Sequence, residues 1–192
     1  ECPLCTLMEK AEKDALSYYL SSAIMTPEVR VETNENGFCP YHFILLSKEG
    51  KPQSLALLMD TYYGKDQEIF SPYFTSIKKA GNARKALKAA EGFRSALSER
   101  EKGCLICSRM KDREDRYLYT IASLWNEDSA FRSFFNSSKG LCMHHTALLS
   151  ENRGEPLSGP SLLSFLQDLF SLLERNLERV RKDDWWMTQK YK

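Results

Sequence analysis

The feature that most constrains this chain is a pattern of cysteine and histidine that occurs twice. In each copy 33 or 34 residues separate a C-x-x-C pair from the C-x-x-H pair that follows it. All six cysteines of the chain belong to these pairs, so no thiol is left for another role. The first copy supplies Cys2, Cys5, Cys39 and His42, and the second supplies Cys104, Cys107, Cys142 and His145.

Three thiolates and one imidazole are a common ligand set for tetrahedral zinc. Two such sets with matching gaps are a stronger indication than a single C-x-x-C pair. We therefore predict two metal ions per chain, zinc in the first place, each bound by the four residues of one copy. The long gaps leave an alternative, in which the C-x-x-C pair of one copy joins the C-x-x-H pair of the other. Three disulfides are the alternative, but they leave the recurring histidine unexplained. His144 lies two residues after Cys142 and is predicted to be an exposed non-ligand.

The similarity between the copies extends beyond these eight residues. With an offset of 102, Met8 matches Met110 and Leu16 matches Leu118. After one inserted residue, the sequence Leu-Leu-Ser recurs at 45–47 and 148–150. We interpret this as an internal duplication of one helix–connector–helix module.

The chain is predicted to be all-α. Apolar residues after Cys2 recur at spacings of three and four, and no segment shows the sustained alternation of a half-buried strand. Pro3 and Pro40 directly follow Cys2 and Cys39, where the first turn of a helix accepts proline. Each metal is therefore expected to hold the N-termini of two helices together, where the helix dipole favours a thiolate.

Charge suggests three consecutive segments. Residues 1–66 form the first metal-binding module with a net charge of −4, and residues 67–102 form a basic helical or linker segment of +4. Residues 103–192 form the second module with a long C-terminal helix and a net charge of +1. Pro72 is expected to begin a new helix within the middle segment.

Composition and motifs argue against several classes of function. The total net charge of +1 argues against a nucleic-acid partner, and no apolar run is long enough for a membrane span. The basic residues within 78–88 have no interleaved aromatic side chains, so a solvated helix or a linker is the favoured interpretation. No leader peptide is visible, and a cytoplasmic location is expected. No phosphate-binding glycine loop and no Ser/His/Asp set occurs, so we expect no enzyme.

Five stretches of the chain carry a resemblance to a known family. They are CPLC, VRVETNENGFCPYH, LMDTYY, SKGLCMHH and NLERVRKDDWW. They resemble an uncharacterised family of small bacterial proteins, labelled as a domain of unknown function, with the same doubled C-x-x-C and C-x-x-H arrangement. The resemblance implies the same eight metal ligands and no established activity.

Three functional hypotheses follow from the sequence. The leading one is a zinc-stabilised helical scaffold that binds an unidentified protein partner, with Trp185 and Trp186 as candidate surface anchors. The first alternative is a thiol-based redox protein or redox-sensitive zinc switch, because C-P-x-C at a helix start lowers a thiol pKa. The second alternative is nucleic-acid binding through the basic middle segment.

Overall fold

The computed structural model describes residues 2–191, and this part of the chain is all-α, with no strand. Nine α-helices and a short 3-10 helix, Ser22–Met25, make up the described chain. The first four α-helices are α1 Pro3–Tyr19, α2 Pro27–Asn36, α3 Pro40–Lys48 and α4 Pro52–Lys78. The other five are α5 Ala83–Arg100, α6 Leu105–Glu127, α7 Ser129–Ser137, α8 Met143–Ser150 and α9 Gly159–Gln189.

Local sequence accounts for most of the helix starts. Proline occupies one of the first two positions of α2, α3, α4 and α9, where its missing N–H breaks no helical hydrogen bond. Asn82 caps α5 by accepting a hydrogen bond from the backbone N–H of Lys85, and Asp128 caps α7 in the same way. These caps are local hydrogen bonds that favour helix starts at Ala83 and Ser129.

Contacts divide the chain into two compact units that are not consecutive in sequence. One unit is Glu12–Met110, and the other combines the chain up to Ala11 with the chain from Lys111 onward. These units cut the chain at positions other than 66 and 102, the boundaries suggested by charge. Consequently α1 and α6 each contribute their first turns to one unit and the rest of their length to the other.

Each unit has its own apolar core. In unit 12–110 the core comprises Ala15, Leu16, Tyr19, Leu20, Ile24, Val29, Phe38, Leu46, Leu58, Leu105 and Ile106. In the other unit it comprises Leu4, Leu118, Ala122, Trp125, Phe135, Leu141, Leu149, Leu157, Phe165, Leu169 and Leu172. Residues next to the cysteine pairs, such as Leu4 and Ile106, are fully buried, so the cysteine pairs lie at the edges of the two cores.

Helix α4 differs from the sequence-based expectation. Pro72 lies inside α4 and does not begin a new helix. Proline removes one hydrogen bond from the helix, but aromatic packing on either side of it favours continuation. Phe70 and Phe74 both contact the ring of Phe93 on α5, with ring centroids 5.2 and 5.7 Å away. The local signal at Pro72 is thus outweighed by the pairing of α4 with α5.

Within the described residues, every helix is too short or too polar to cross a lipid bilayer.

Candidate metal centres

The eight cysteine and histidine residues of the pattern form two groups of four. The α1–α8 cluster consists of Cys2, Cys5, Cys142 and His145. The α3–α6 cluster consists of Cys39, His42, Cys104 and Cys107. Within each group the candidate ligand atoms all lie within 4.8 Å of one another, and each cluster lies inside one compact unit.

The grouping within each copy, expected from the sequence, is wrong. Cys2 and Cys5 do not meet Cys39 and His42; they meet the C-x-x-H pair of the second copy. The cause is the burial of the residues beside the cysteines. Leu4 packs into the core around Leu149 of α8, so the start of α1 joins α8.

The same cause acts in the other cluster. Leu105 and Ile106 pack into the core that contains Leu46 of α3, so the start of α6 joins α3. Both copies carry identical residue pairs, and spacing alone therefore cannot select which pairs meet. The apolar neighbours of the cysteines make that selection.

In the α1–α8 cluster the imidazole Nδ1 of His145 faces the three sulfurs. Its distances to the Sγ atoms of Cys2, Cys5 and Cys142 are 3.6, 3.4 and 3.2 Å. The Sγ atoms of Cys5 and Cys142 are 3.7 Å apart. All six cysteines lie in the described part of the chain and are free thiols.

The α3–α6 cluster repeats this arrangement. Nδ1 of His42 lies 3.2 Å from the Sγ atoms of Cys39 and Cys104 and 3.4 Å from that of Cys107. The Sγ atoms of Cys39 and Cys107 are 3.9 Å apart. The two clusters therefore share both their residue types and the ring nitrogen that faces the sulfurs.

These distances fit a tetrahedral ion at the centre of each cluster. Zinc bonds of about 2.3 Å to sulfur and about 2.0 Å to nitrogen place two sulfurs about 3.8 Å apart. The same bonds place a sulfur and a nitrogen about 3.5 Å apart. The observed separations of 3.2–3.9 Å surround both values. The donor set and the spacing thus suit a thiolate-binding metal ion of tetrahedral geometry.

Each histidine has a carboxylate behind it. Nε2 of His42 lies 3.2 Å from Oε1 of Glu12, and Nε2 of His145 lies 3.5 Å from Oε1 of Glu114. An acceptor at Nε2 fixes the tautomer in which Nδ1 carries the free lone pair that a metal requires. Sequence reasoning missed these two carboxylates. Their signal was present, because Glu12 and Glu114 are related by the offset of 102 that relates other matched residues.

Burial and hydrogen bonding give the two thiols of each C-x-x-C pair different pKa values. Burial raises the pKa of Cys107 to about 12. A hydrogen bond to the Cys104 sulfur and repulsion by its negative charge act in the same direction. Burial also opposes ionisation of Cys104, but backbone hydrogen bonds from Cys107 and Cys39 bring its pKa down to about 7. In the other cluster the same causes raise the pKa of Cys5 to about 12 and lower that of Cys2. Cys2 and Cys104 therefore have the lower pKa in their pairs and ionise first.

The turn before α3 brings two stretches of backbone close together. Gly37 has a φ of +63°, which disfavours side chains, and a Cβ there would lie 2.6 Å from the ring of Tyr62. Its carbonyl accepts a hydrogen bond of 3.1 Å from the backbone N–H of Leu105. A Cβ at Gly103 would overlap the carbonyl of Asn36. The two glycines thus allow the turn before α3 to pack closely against the start of α6. This contact brings Cys39 next to Cys104.

Exposure differs among the members of each cluster. His42 and His145 are buried, whereas Cys5 and Cys107 are exposed. His144 is exposed, as expected, although its ring also lies near Glu114 and His145. The clusters are therefore closed by protein on the histidine side and accessible to solvent on one sulfur side.

Fold and clusters together define an all-α protein with two Cys/His groups that could each hold a metal ion. The chain belongs to the family of unknown function DUF6062, whose match covers residues 1–192. Comparison with curated proteins and with solved structures finds no match.

Proposed function

We propose that this protein is a zinc-stabilised helical scaffold that acts by binding a protein partner. The observation that carries the proposal is the presence of two complete Cys₃His sets at tetrahedral spacing, each joining helices distant in sequence. Four protein ligands leave no open coordination position for a substrate or a reactive water. A closed site of this kind is typical of structural zinc rather than of catalytic zinc.

The surface of the C-terminal helix supports a binding role. Trp185 and Trp186 are 64% and 54% exposed. Tryptophan is enriched among the residues that dominate protein–protein interfaces. Tyr62 is another aromatic residue that could contact a partner by type, but it is buried under Arg100 and belongs to the core. The two tryptophans are thus the better candidates for partner contact.

The helix order supports the duplication that we infer from the sequence. A long helix, a short helix, a helix that begins after a C-x-x-H cysteine and a second long helix follow one another as α1–α4 and again as α6–α9. Helix α1 begins at residue 3 and α6 at residue 105, which is the offset of 102. Helix α5 has no counterpart. In this interpretation the two copies exchanged the starts of their first helices.

A redox-sensitive zinc switch is a second candidate. It is favoured by the exposure of Cys5 and Cys107, because an oxidant reaches an exposed metal-bound thiolate most easily. Oxidation of either sulfur would remove one ligand and weaken metal binding. In this version the scaffold would lose its metal, and hence its structure, under oxidising conditions.

Metal content and one pair of variants test the scaffold proposal. Elemental analysis of protein purified without chelator is expected to give two zinc ions per chain. Metal binding contributes about 10 kcal/mol or more in small zinc domains, comparable to the roughly 5–15 kcal/mol stability of a whole domain. Cys142→Ser is therefore expected to lose helicity by circular dichroism and to melt at a much lower temperature.

The control is the neighbouring substitution Met143→Ser, because Met143 is 65% exposed and its side chain is not a candidate ligand. This variant is expected to keep two ions and to melt like the wild type. A Cys142→Ser protein with full helicity and wild-type melting would contradict the structural role of the metal. That result would move the redox switch to first place.

A further inference from the structure

Helix α9 carries two apolar faces. The inner face includes Phe165, Leu169 and Leu172, which are almost completely buried in the core. A second face, the α9 seam, consists of Leu163, Leu166, Phe170, Leu173, Leu177, Val180 and Met187. Seam residues are spaced by three and four up to Val180, and Met187 follows seven residues later. This is the a/d spacing of a coiled coil, in which such a face packs against another helix.

Five of the seven seam residues are exposed, and Leu166 and Leu173 are half-buried. The exposed fractions of Leu163, Phe170, Leu177, Val180 and Met187 range from 40% to 59%. All side chains of residues 177–190 are exposed, so within the described chain nothing packs over this part of α9. A helical segment of this length is marginal in water without packing. This segment is therefore expected to pack against a second helix.

The charges beside the seam indicate what kind of surface packs against it. Residues 174–184 carry four acidic and four basic side chains. This balance does not suit an anionic membrane surface or a nucleic acid, and it does suit another helix with the same mixture. Glu174 and Arg181 occupy equivalent flanking positions of successive heptads, each one residue after a seam residue.

We propose that α9 pairs with α9 of a second copy of this chain in an antiparallel coiled coil. In an antiparallel pair, residues that directly follow a seam residue on one helix face residues of the same kind on the other helix. Glu174 of each copy therefore lies opposite the partner's Arg181, and the two-fold symmetry forms this ion pair twice. Leu177 packs on the partner's Val180, and Phe170 on the partner's Met187. The proposal does not depend on metal in the clusters, because its evidence lies on α9 alone.

Charge also disfavours the other arrangements. A shift of one heptad in either direction places Glu174 against the partner's Glu174, or Arg181 against the partner's Arg181. A parallel pair would place Asn176 against Arg181 and Asp183 against Thr188, with no ion pair. Asp184 occupies the remaining seam position between Val180 and Met187. A polar residue at such a position reduces stability and contributes to a unique register.

The test measures self-association of the full chain, reduced and zinc-loaded, by sedimentation across a range of concentrations. Wild-type protein is expected to reach the mass of a dimer. Glu174→Arg and Arg181→Glu should each raise the dissociation constant by about tenfold or more, because each places like charges opposite one another twice. Lys182→Glu is the matched control, since it makes the same charge change as Arg181→Glu on the side of α9 away from the seam.

Mixing the two single variants provides the sharpest result. An equimolar mixture of Glu174→Arg and Arg181→Glu restores opposite charges at both crossings of an antiparallel pair, so mixed dimers should form with nearly wild-type affinity. Circular dichroism of each variant verifies that it is folded. A monomeric wild-type protein, single variants that dimerise like the control, or a mixture without recovery would each overturn the proposal. Metal content, measured separately, would be unaffected by that failure.

Discussion

At the scale of single residues, the carboxylates behind the histidines are the least conspicuous part of the candidate metal centres. Glu12 and Glu114 are no candidate ligands of the Cys₃His sets, yet each lies within 3.5 Å of a histidine Nε2. Such partners orient the imidazole and raise its basicity. We expect them to act as positioning residues for metal binding.

Glu12→Ala should therefore weaken metal binding at the α3–α6 cluster by about 10–100-fold while the fold is retained. The measurement is competition with a chromophoric chelator, which counts how many ions are lost at each chelator concentration. Glu12→Gln should recover part of the loss because its amide oxygen still accepts from Nε2. Lys10→Ala, on an exposed side chain of the same helix, is the control. Equal metal retention in Glu12→Ala and Lys10→Ala would show that Glu12 does not position His42.

The sequence identified all eight members of the two clusters because cysteine and histidine are few in this chain and every cysteine fits the pattern. It did not identify Glu12 and Glu114, because the chain has 26 acidic residues and none is distinctive by type. Proximity to a histidine nitrogen distinguishes them, and proximity requires the fold. Whether the eight residues bind metal stays a prediction.

At the scale of elements, proline predicted the helix starts at Pro3 and Pro40 and failed at Pro72. Pro3, Pro40 and Pro52 each begin a helix, as proline at the first turn allows. Pro72 gave the same signal and lies inside α4, because rings of α4 pack on Phe93 of α5. Pro72 differs from the other prolines in its tertiary contacts, which the sequence around Pro72 does not reveal.

The turn between α2 and α3 gives a prediction at this scale. Gly37→Ala should destabilise the protein by about 2–5 kcal/mol, through a left-handed φ and the overlap of the new Cβ with Tyr62. Gly50→Ala is a matched control, since Gly50 has a φ of +68° but its added Cβ would meet no atom within 4 Å. It should cost only about 1–2 kcal/mol, the contribution of φ alone. Chemical denaturation of both variants measures the difference, and equal destabilisation would contradict the role of Tyr62.

At the scale of the whole molecule, the grouping of cysteine and histidine pairs across the two copies is the main finding that the sequence alone did not decide. The two C-x-x-C pairs are interchangeable by residue type and spacing. The choice between them depends on which core accepts Leu4 and which accepts Ile106. Side-chain packing between segments far apart in the chain decides that choice, and no local pattern records it.

Paired substitutions distinguish the two groupings. Cys2→Ala with Cys142→Ala removes two ligands from one cluster, so one ion should survive a chelator challenge. Cys2→Ala with Cys39→Ala removes one ligand from each cluster, so both ions should be held weakly and neither should survive. Elemental analysis after the challenge counts the ions. The opposite result, with one ion surviving in the second double variant alone, would support grouping within each copy.

The nested order of the two clusters has a consequence for synthesis of the chain. Members of the α3–α6 cluster lie between residues 39 and 107, and members of the α1–α8 cluster lie outside this interval, between residues 2 and 5 and between residues 142 and 145. Translation releases residues from the N-terminus, so Cys2, Cys5, Cys39 and His42 leave the ribosome first and form a complete but non-native Cys₃His set. An ion captured at that stage must be handed over when Cys104 and Cys107 emerge. If the clusters bind metal as we propose, the rate of metal exchange between thiolates sets an upper limit on how fast the nascent chain reaches its final structure.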